Sequence, residues 1–355
     1  MSAQVGERSN AIGLLLHSIV EQFNARLAHG PGDLRQFERL AGDLLDVADD
    51  ESAARVAQAL CEHPETPPSL ITRLFARGGA CARLAFEFAR RAPPAELLAK
   101  AEHGSEDVAA AIARRREISR EAVAALASRT EPSVLRSLAA NRSARFDPGA
   151  LRALVQAARD DRALARILLD RADIELDPEP LFLAATTSER AAILLAACRI
   201  AMASAGDLRG RAPQRDPALG DYLLARAIEQ DRETIVTRLA DALDARKSRV
   251  RGIFEDEGGE ALSLAFVALG VNVDASTKIF LCGDWAFARS AARLRELRAL
   301  IRSAPWQAAT RIVAAIVGAP RIERDGPRIG SARPDSAWRR AASGADGARL
   351  LERKG

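Results

Sequence analysis

Through the first half of the chain, apolar residues return every three or four positions, the spacing that gathers side chains on one side of a helix. Leu84 with Phe88, Val108 with Ile112, Val134 with Leu135 and Leu138, and Leu164 with Ile167 and Leu168 all follow it. Each run is preceded by a segment with a shared opening: HPETPPSLITRLF (63–75), RAPPAELLAKA (91–101), REISREAVAALA (116–127) and ARFDPGALRALV (144–155). The opening marks a helix start. Proline at the first helical position gives up no internal hydrogen bond, and Asp147 before Pro148 is placed to accept from unpaired backbone N–H groups. Taken as equivalent inward positions, Leu70, Leu97, Val123 and Leu151 are separated by 27, 26 and 28 residues. Two helices in about 27 residues cannot bury their apolar faces alone and must stack on their neighbours. The predicted fold is therefore all-α, with short helical hairpins stacked as a solenoid.

Outside the repeats the pattern changes. Segments 9–29 and 34–48 read as amphipathic helices without the shared opening, which suits an atypical cap over residues 1–50. The repeat region is placed at 51–205. A weaker fifth unit begins at Asp177-Pro178 and ends in a helix from Glu189 to Ala203, where Thr186 and Glu189 have capping-box spacing. Gly, Pro and charge at GDLRGRAPQR (206–215) predict a linker. Longer helices without the repeat opening are expected over 217–319. Residues 320–355 hold few large apolar side chains and are expected to form a disordered tail.

Two stretches carry a family resemblance: AIARRREISREAVAALASRTEPSVLRSLAANRSARFDPGALRALVQAARDD (111–161) and LLDRADIELDPEPLFLAA (168–185). Over about Arg39 to Leu194 the chain resembles the bacterial domain-of-unknown-function family 2336. The phrase SVLRSLAANRSARFDPGALRAL is also similar to HEAT-like and leucine-rich-variant repeats. The resemblance implies a helical-repeat fold and brings no catalytic residues with it. Glu175 and Leu176 before Asp177-Pro178 depart from the family pattern and unsettle the register of the fifth unit.

Composition supports helices packed through small side chains, since aromatic residues reach only 4%. The formal charge is +4, but residues 320–355 carry nine Lys or Arg against five acids, so the rest of the chain is neutral overall. A neutral body argues against a broad surface that tracks phosphates. The apolar run Ala11–Leu16 is too short for a secretory signal, and 191–198 and 261–273 are too short to span a bilayer. A cytoplasmic location without membrane contact is the expectation. Cys61, Cys81, Cys198 and Cys282 are widely spaced within helical patterns and read as reduced core thiols.

Little in the sequence demands chemistry. Cys61, His63 and Cys81 lack the paired spacing of a zinc site, and nucleophile-elbow, HExxH and phosphate-loop motifs are missing. No enzyme activity, metal or cofactor is expected. EDEGGE (255–260) lacks the ligand ladder of a calcium loop and reads as a solvated acidic helix junction. One recurrence stands out. Arg90 and Arg91, then Arg114, Arg115 and Arg116, then Arg142 and Arg145, with Arg171 beyond, fall near the ends of second helices. Cations suit helix C-termini, and stacking would line them along one edge. The first seven are the candidate contacts for a partner or for phosphate. The expected role is a non-enzymatic scaffold for a protein partner. The alternative, binding of phosphate or nucleic acid through this ridge, lacks aromatic residues for base stacking.

Overall fold

The computed structural model describes residues 2–204 and 217–318. The predicted linker 206–215 and the predicted tail 320–355 lie outside these residues. All regular structure among the described residues is helical. By their contacts the residues fall into two compact units, one ending at Leu154 and the other starting at Val155.

The first unit contains α1 (Ser2–Asn24), α2 (Pro31–Val47), α3 (Asp50–Glu62), α4 (Pro68–Arg77), α5 (Gly79–Phe88), α6 (Pro94–His103), α7 (Glu106–Ala113), α8 (Arg120–Ala127), α9 (Pro132–Ala140) and most of α10 (Pro148–Ala158). The shared openings all start helices, at Pro68, Pro94, Arg120 and Pro148. Asp147 does cap α10, accepting from the Ala150 amide at 2.7 Å. Ser119 does the same for α8, accepting from the Ala122 amide at 3.2 Å. Between α4 and α5 the chain reverses at Gly78, whose φ of +76° is strained for any other residue type.

Within this unit α1, α3, α5, α7 and α9 pack in succession, while α2 packs on α4 and α6 on α8. The α4–α5, α6–α7 and α8–α9 pairs therefore stack hairpin on hairpin. Small residues permit the close approach, since every residue from Ala109 to Ala113 is buried. Of the four positions read as inward, Leu70 and Val123 are buried, whereas Leu97 and Leu151 are only half-buried. One turn later all four helices reach the centre, with Leu74, Ala101, Leu126 and Leu154 buried.

The second unit contains α11 (Arg162–Leu169), α12 (Thr187–Ser204), α13 (Pro217–Ile228), α14 (Arg232–Ala242), α15 (Lys247–Phe254), α16 (Glu260–Ala268), α17 (Val273–Cys282), α18 (Ala291–Ser303) and α19 (Trp306–Val317), with 3₁₀ turns at Glu179–Ala184 and Ala286–Arg289. From α13 on these helices span 8 to 13 residues, and only α13, α18 and α19 exceed the 8 to 11 residues of α4 to α10. Asp177-Pro178 opens a 3₁₀ turn rather than an α-helix. The capping box at Thr186 is present, its amide donating to Glu189 at 2.7 Å. Residues Ala261–Phe266 of α16 are all buried, which explains its nearly continuous apolar sequence. α19 packs on α12, on α16 and on the first 3₁₀ turn. No described helix is long and apolar enough to cross a membrane.

Candidate functional site: the arginine edge of the first unit

The C-termini of α5, α7 and α9 lead into the connections 89–93, 114–119 and 141–147, which hold seven arginines against two acids, Glu117 and Asp147. A helix C-terminus exposes carbonyl oxygens with no intrahelical donor, and aligned peptide dipoles leave it partly negative. Stacked helices bring several such ends together. Some of the arginines answer that problem directly.

Arg115 is the clearest case. It is 7% exposed. Its Nη1 donates to the Phe86 carbonyl at 2.6 Å and its Nη2 to the Ala89 carbonyl at 2.8 Å. Both acceptors belong to the end of α5, one repeat earlier. Burial pulls the guanidinium below the ordinary arginine range, with Glu117 acting the other way. Arg115 is therefore a clasp between neighbouring hairpins and does not belong to the outer ridge the sequence suggested. Asn141 repeats the clasp one hairpin on, its Nδ2 donating to the Ala113 and Arg115 carbonyls at 2.7 Å each. The companion helices are fastened in the same way. Arg129 donates to the carbonyls of Ala101 at 3.1 Å and Gly104 at 3.0 Å, and Arg77 donates to those of Leu45 and Ala48.

The remaining candidates divide. Arg114 is held to Glu87 at 2.7 Å. Arg145 is exposed and has interactions of its own. Arg90, Arg91, Arg116 and Arg142 are exposed, and among the described residues their guanidinium groups have no hydrogen-bond or ion-pair partner. The backbone amide of Arg90 donates to the Cys61 carbonyl at 3.4 Å, which fixes where its side chain leaves the stack. The edge thus combines one inward arginine, Arg115, and an asparagine that join the hairpins with four outward arginines that neutralise nothing nearby.

A second ionic cluster, in the other unit, was not visible to sequence reasoning. Arg190 grips Asp256 with two hydrogen bonds of 2.7 and 2.9 Å and reaches Glu260 at 2.8 Å. Arg293 pairs with Glu260 and donates to the Gly258 carbonyl at 2.8 and 2.9 Å. Asp256 is only 4% exposed. The EDEGGE segment is therefore solvated only in part: Glu255 and Glu257 are exposed, while the turn at Gly259, with φ of +78°, goes with Asp256 and Glu260 folded inward onto arginines. A side chain there would also strike Leu297 and Phe287. Burial raises the Glu260 pKa, but the hydrogen bond from Arg293 and the charge of Arg190 outweigh it and hold the carboxyl below the usual range.

The residues weighed as metal ligands are engaged otherwise. Burial pushes the Cys61 thiol up to about 12. His63 uses both ring nitrogens, Nε2 towards the Arg26 carbonyl at 2.8 Å and Nδ1 towards the Glu65 amide at 3.2 Å. Among the described residues no group of three or more His, Cys, Asp or Glu is arranged to hold a metal ion.

Comparison with known proteins adds one match. A family model described as an uncharacterised protein conserved in bacteria (DUF2336) matches residues 86–314, a span that takes in α6 to α9 and the Arg190–Glu260 cluster. No curated protein and no solved structure matches the chain.

Proposed function

This chain belongs to the uncharacterised bacterial family DUF2336, and within that family we propose for it the role of a non-enzymatic, HEAT-like helical-repeat scaffold that binds a protein partner through its arginine edge. The observation that carries the reading is the set of four outward arginines, Arg90, Arg91, Arg116 and Arg142, on three successive connections. Exposed charge without a partner contributes little to the fold. The same charge against an acidic surface gains strength as the interface excludes water, and it steers the encounter. Stacked hairpins supply an extended, regularly spaced edge for such a surface. The cytoplasm is the proposed location.

The four arginines also suit phosphate. No aromatic side chain stands beside them in the three connections except Phe146, which is half-buried, and single-stranded nucleic acid is usually held by stacking as well as charge. A protein partner is the favoured reading. The test is capture from a lysate of the source bacterium by the immobilised full chain, with and without nuclease, beside a variant with Arg90, Arg91, Arg116 and Arg142 all changed to Ser. Support is a protein retained after nuclease treatment, released by raised salt and absent from the variant column. Loss of all captured material on nuclease treatment would turn the reading towards nucleic acid. Equal capture by both columns, or none by either, would remove it.

A further inference from the structure

The α1–α2 and α3–α4 connections meet around two histidines. The His29 ring is 5% exposed at its side chain, and it lies flat on Phe23, which in turn stacks on Phe37 of α2. Its Nδ1 is 2.9 Å from a Glu65 carboxylate oxygen and its Nε2 is 3.0 Å from the Phe23 carbonyl. The His29 backbone amide donates to the same Glu65 oxygen at 2.7 Å. Both ring nitrogens therefore face oxygens that can only accept. A neutral imidazole has one N–H, so it satisfies one of these contacts and turns a lone pair towards the other oxygen. Only the doubly protonated ring satisfies both.

His63 is the opposite case. Its Nε2 donates to the Arg26 carbonyl while its Nδ1 accepts from the Glu65 amide. One proton serves both contacts, and a second would set two N–H groups against each other. The rings lie 5.5 Å apart, so two positive charges would also repel. The titratable groups in contact with His29 are Glu65 and His63, both from the α3–α4 connection. From α1 it meets the Phe23 ring and the Phe23 backbone carbonyl.

We propose that His29, Glu65 and His63 form a proton-operated latch, closed when His29 carries two protons and His63 one, which fastens the first hairpin, α1–α2, onto the α3–α4 connection. The latch is independent of the arginine edge and of any partner there. The hydrogen bond from His29 comes first among the causes that hold the Glu65 carboxyl below the usual carboxylate range, so the anion persists where the imidazolium forms. When His29 carries only one proton, one of its two contacts sets a lone pair against an acceptor oxygen and becomes repulsive. The fastening then weakens while the apolar packing of the hairpin stays in place.

The measurement is amide hydrogen exchange on the full chain at about pH 6 and about pH 8, corrected for intrinsic exchange rates. The reporters are the amides of His29, Glu65 and Thr66, the last of which donates to the His63 carbonyl at 3.3 Å. A charge-assisted hydrogen bond lost on deprotonation lowers their protection by about tenfold or more, with no change at amides of α9. His29→Gln and Glu65→Gln each abolish that pH dependence, and His63→Gln keeps it. Protection unchanged between the two pH values, or pH dependence surviving both His29→Gln and Glu65→Gln, overturns the latch. Should either variant fail to fold, NMR titration of the wild type decides. The Glu65 carboxyl shift must follow the His29 ring titration, and independent titration of the two refutes the proposal.

Discussion

Replacing Arg115 by Met separates an arginine that joins two hairpins from its neighbours in the same run of three. The substitution keeps an unbranched apolar stem in the slot and removes only the guanidinium. Two carbonyls then lose their donors, those of Phe86 and Ala89, and these residues are 1% and 0% exposed, so water cannot replace the lost bonds. An acceptor left buried without a partner costs about 1 to 3 kcal/mol. Against that stands the relief of no longer burying a charge, which burial already disfavours at Arg115. The expected net loss is about 2 to 4 kcal/mol. Arg116→Met removes an equal charge one residue away, from an exposed side chain without a partner, and is expected to change stability by less than about 0.5 kcal/mol. Urea denaturation followed by far-ultraviolet circular dichroism measures both. A loss below about 0.5 kcal/mol for Arg115→Met, or equal losses for the two variants, would refute the assignment of one arginine to the fold and the other to the surface.

Asn141→Ala removes donors from the Ala113 and Arg115 carbonyls. It is expected to cost about 1 to 3 kcal/mol in the same assay, with hydrogen exchange at the end of α7 accelerated first. Arg190→Met leaves Asp256 buried without its counter-ion and is expected to destabilise the second unit by about 3 to 5 kcal/mol, seen as an earlier change in Trp fluorescence. The depressed Glu260 pKa carries a sign that can be checked. The unfolded chain takes up this proton first as pH falls, so the contribution is complete above the unfolded carboxyl value, near pH 4.3, and is lost through the lower folded value. Acid denaturation of Glu260→Gln should therefore show a shallower acid limb than wild type, and an identical limb would contradict the pairing. Cys61 and Cys81 are buried, and burial raises both thiols. A thiol-reactive dye is expected to label them only on unfolding, after the half-buried Cys198 and Cys282.

The helix starts were legible because their signals are local. Proline and a capping Asp or Ser act within one turn, and they set Pro68, Pro94, Arg120 and Pro148 at the head of helices as the period required. Core depth was less legible. Leu97 and Leu151 match Leu70 in the repeat but lie only half-buried, since a periodic pattern gives the face of a helix and not its distance from the centre. The arginine run was legible as recurrence and misread as a single ridge. Arg114, Arg115 and Arg116 are adjacent in the chain, yet one reaches Glu87, one turns in to carbonyls of an earlier helix, and one faces water. Which of these happens depends on where the carbonyl ends of the preceding repeat lie, and backbone oxygens leave no mark in a side-chain pattern. The Arg190 cluster had still less local signal. Its partners are separated by 66 and 70 residues, and a run of acids does not show that two of the four, Asp256 and Glu260, turn inward at Gly259.

Site-specific photocrosslinking in cells tests most directly whether the outward arginines mark the binding surface. A photoreactive residue placed at Glu117 or Ser143, beside Arg116 and Arg142, leaves the four free arginines intact, and the same residue at exposed Thr130, in the connection between α8 and α9, serves as the comparison. The account predicts a discrete protein adduct from the first two positions that is lost when Arg90, Arg91, Arg116 and Arg142 are changed to Ser, with none from Thr130. Adducts of equal yield from all three positions, or adducts at Glu117 and Ser143 that persist without the arginines, would contradict it.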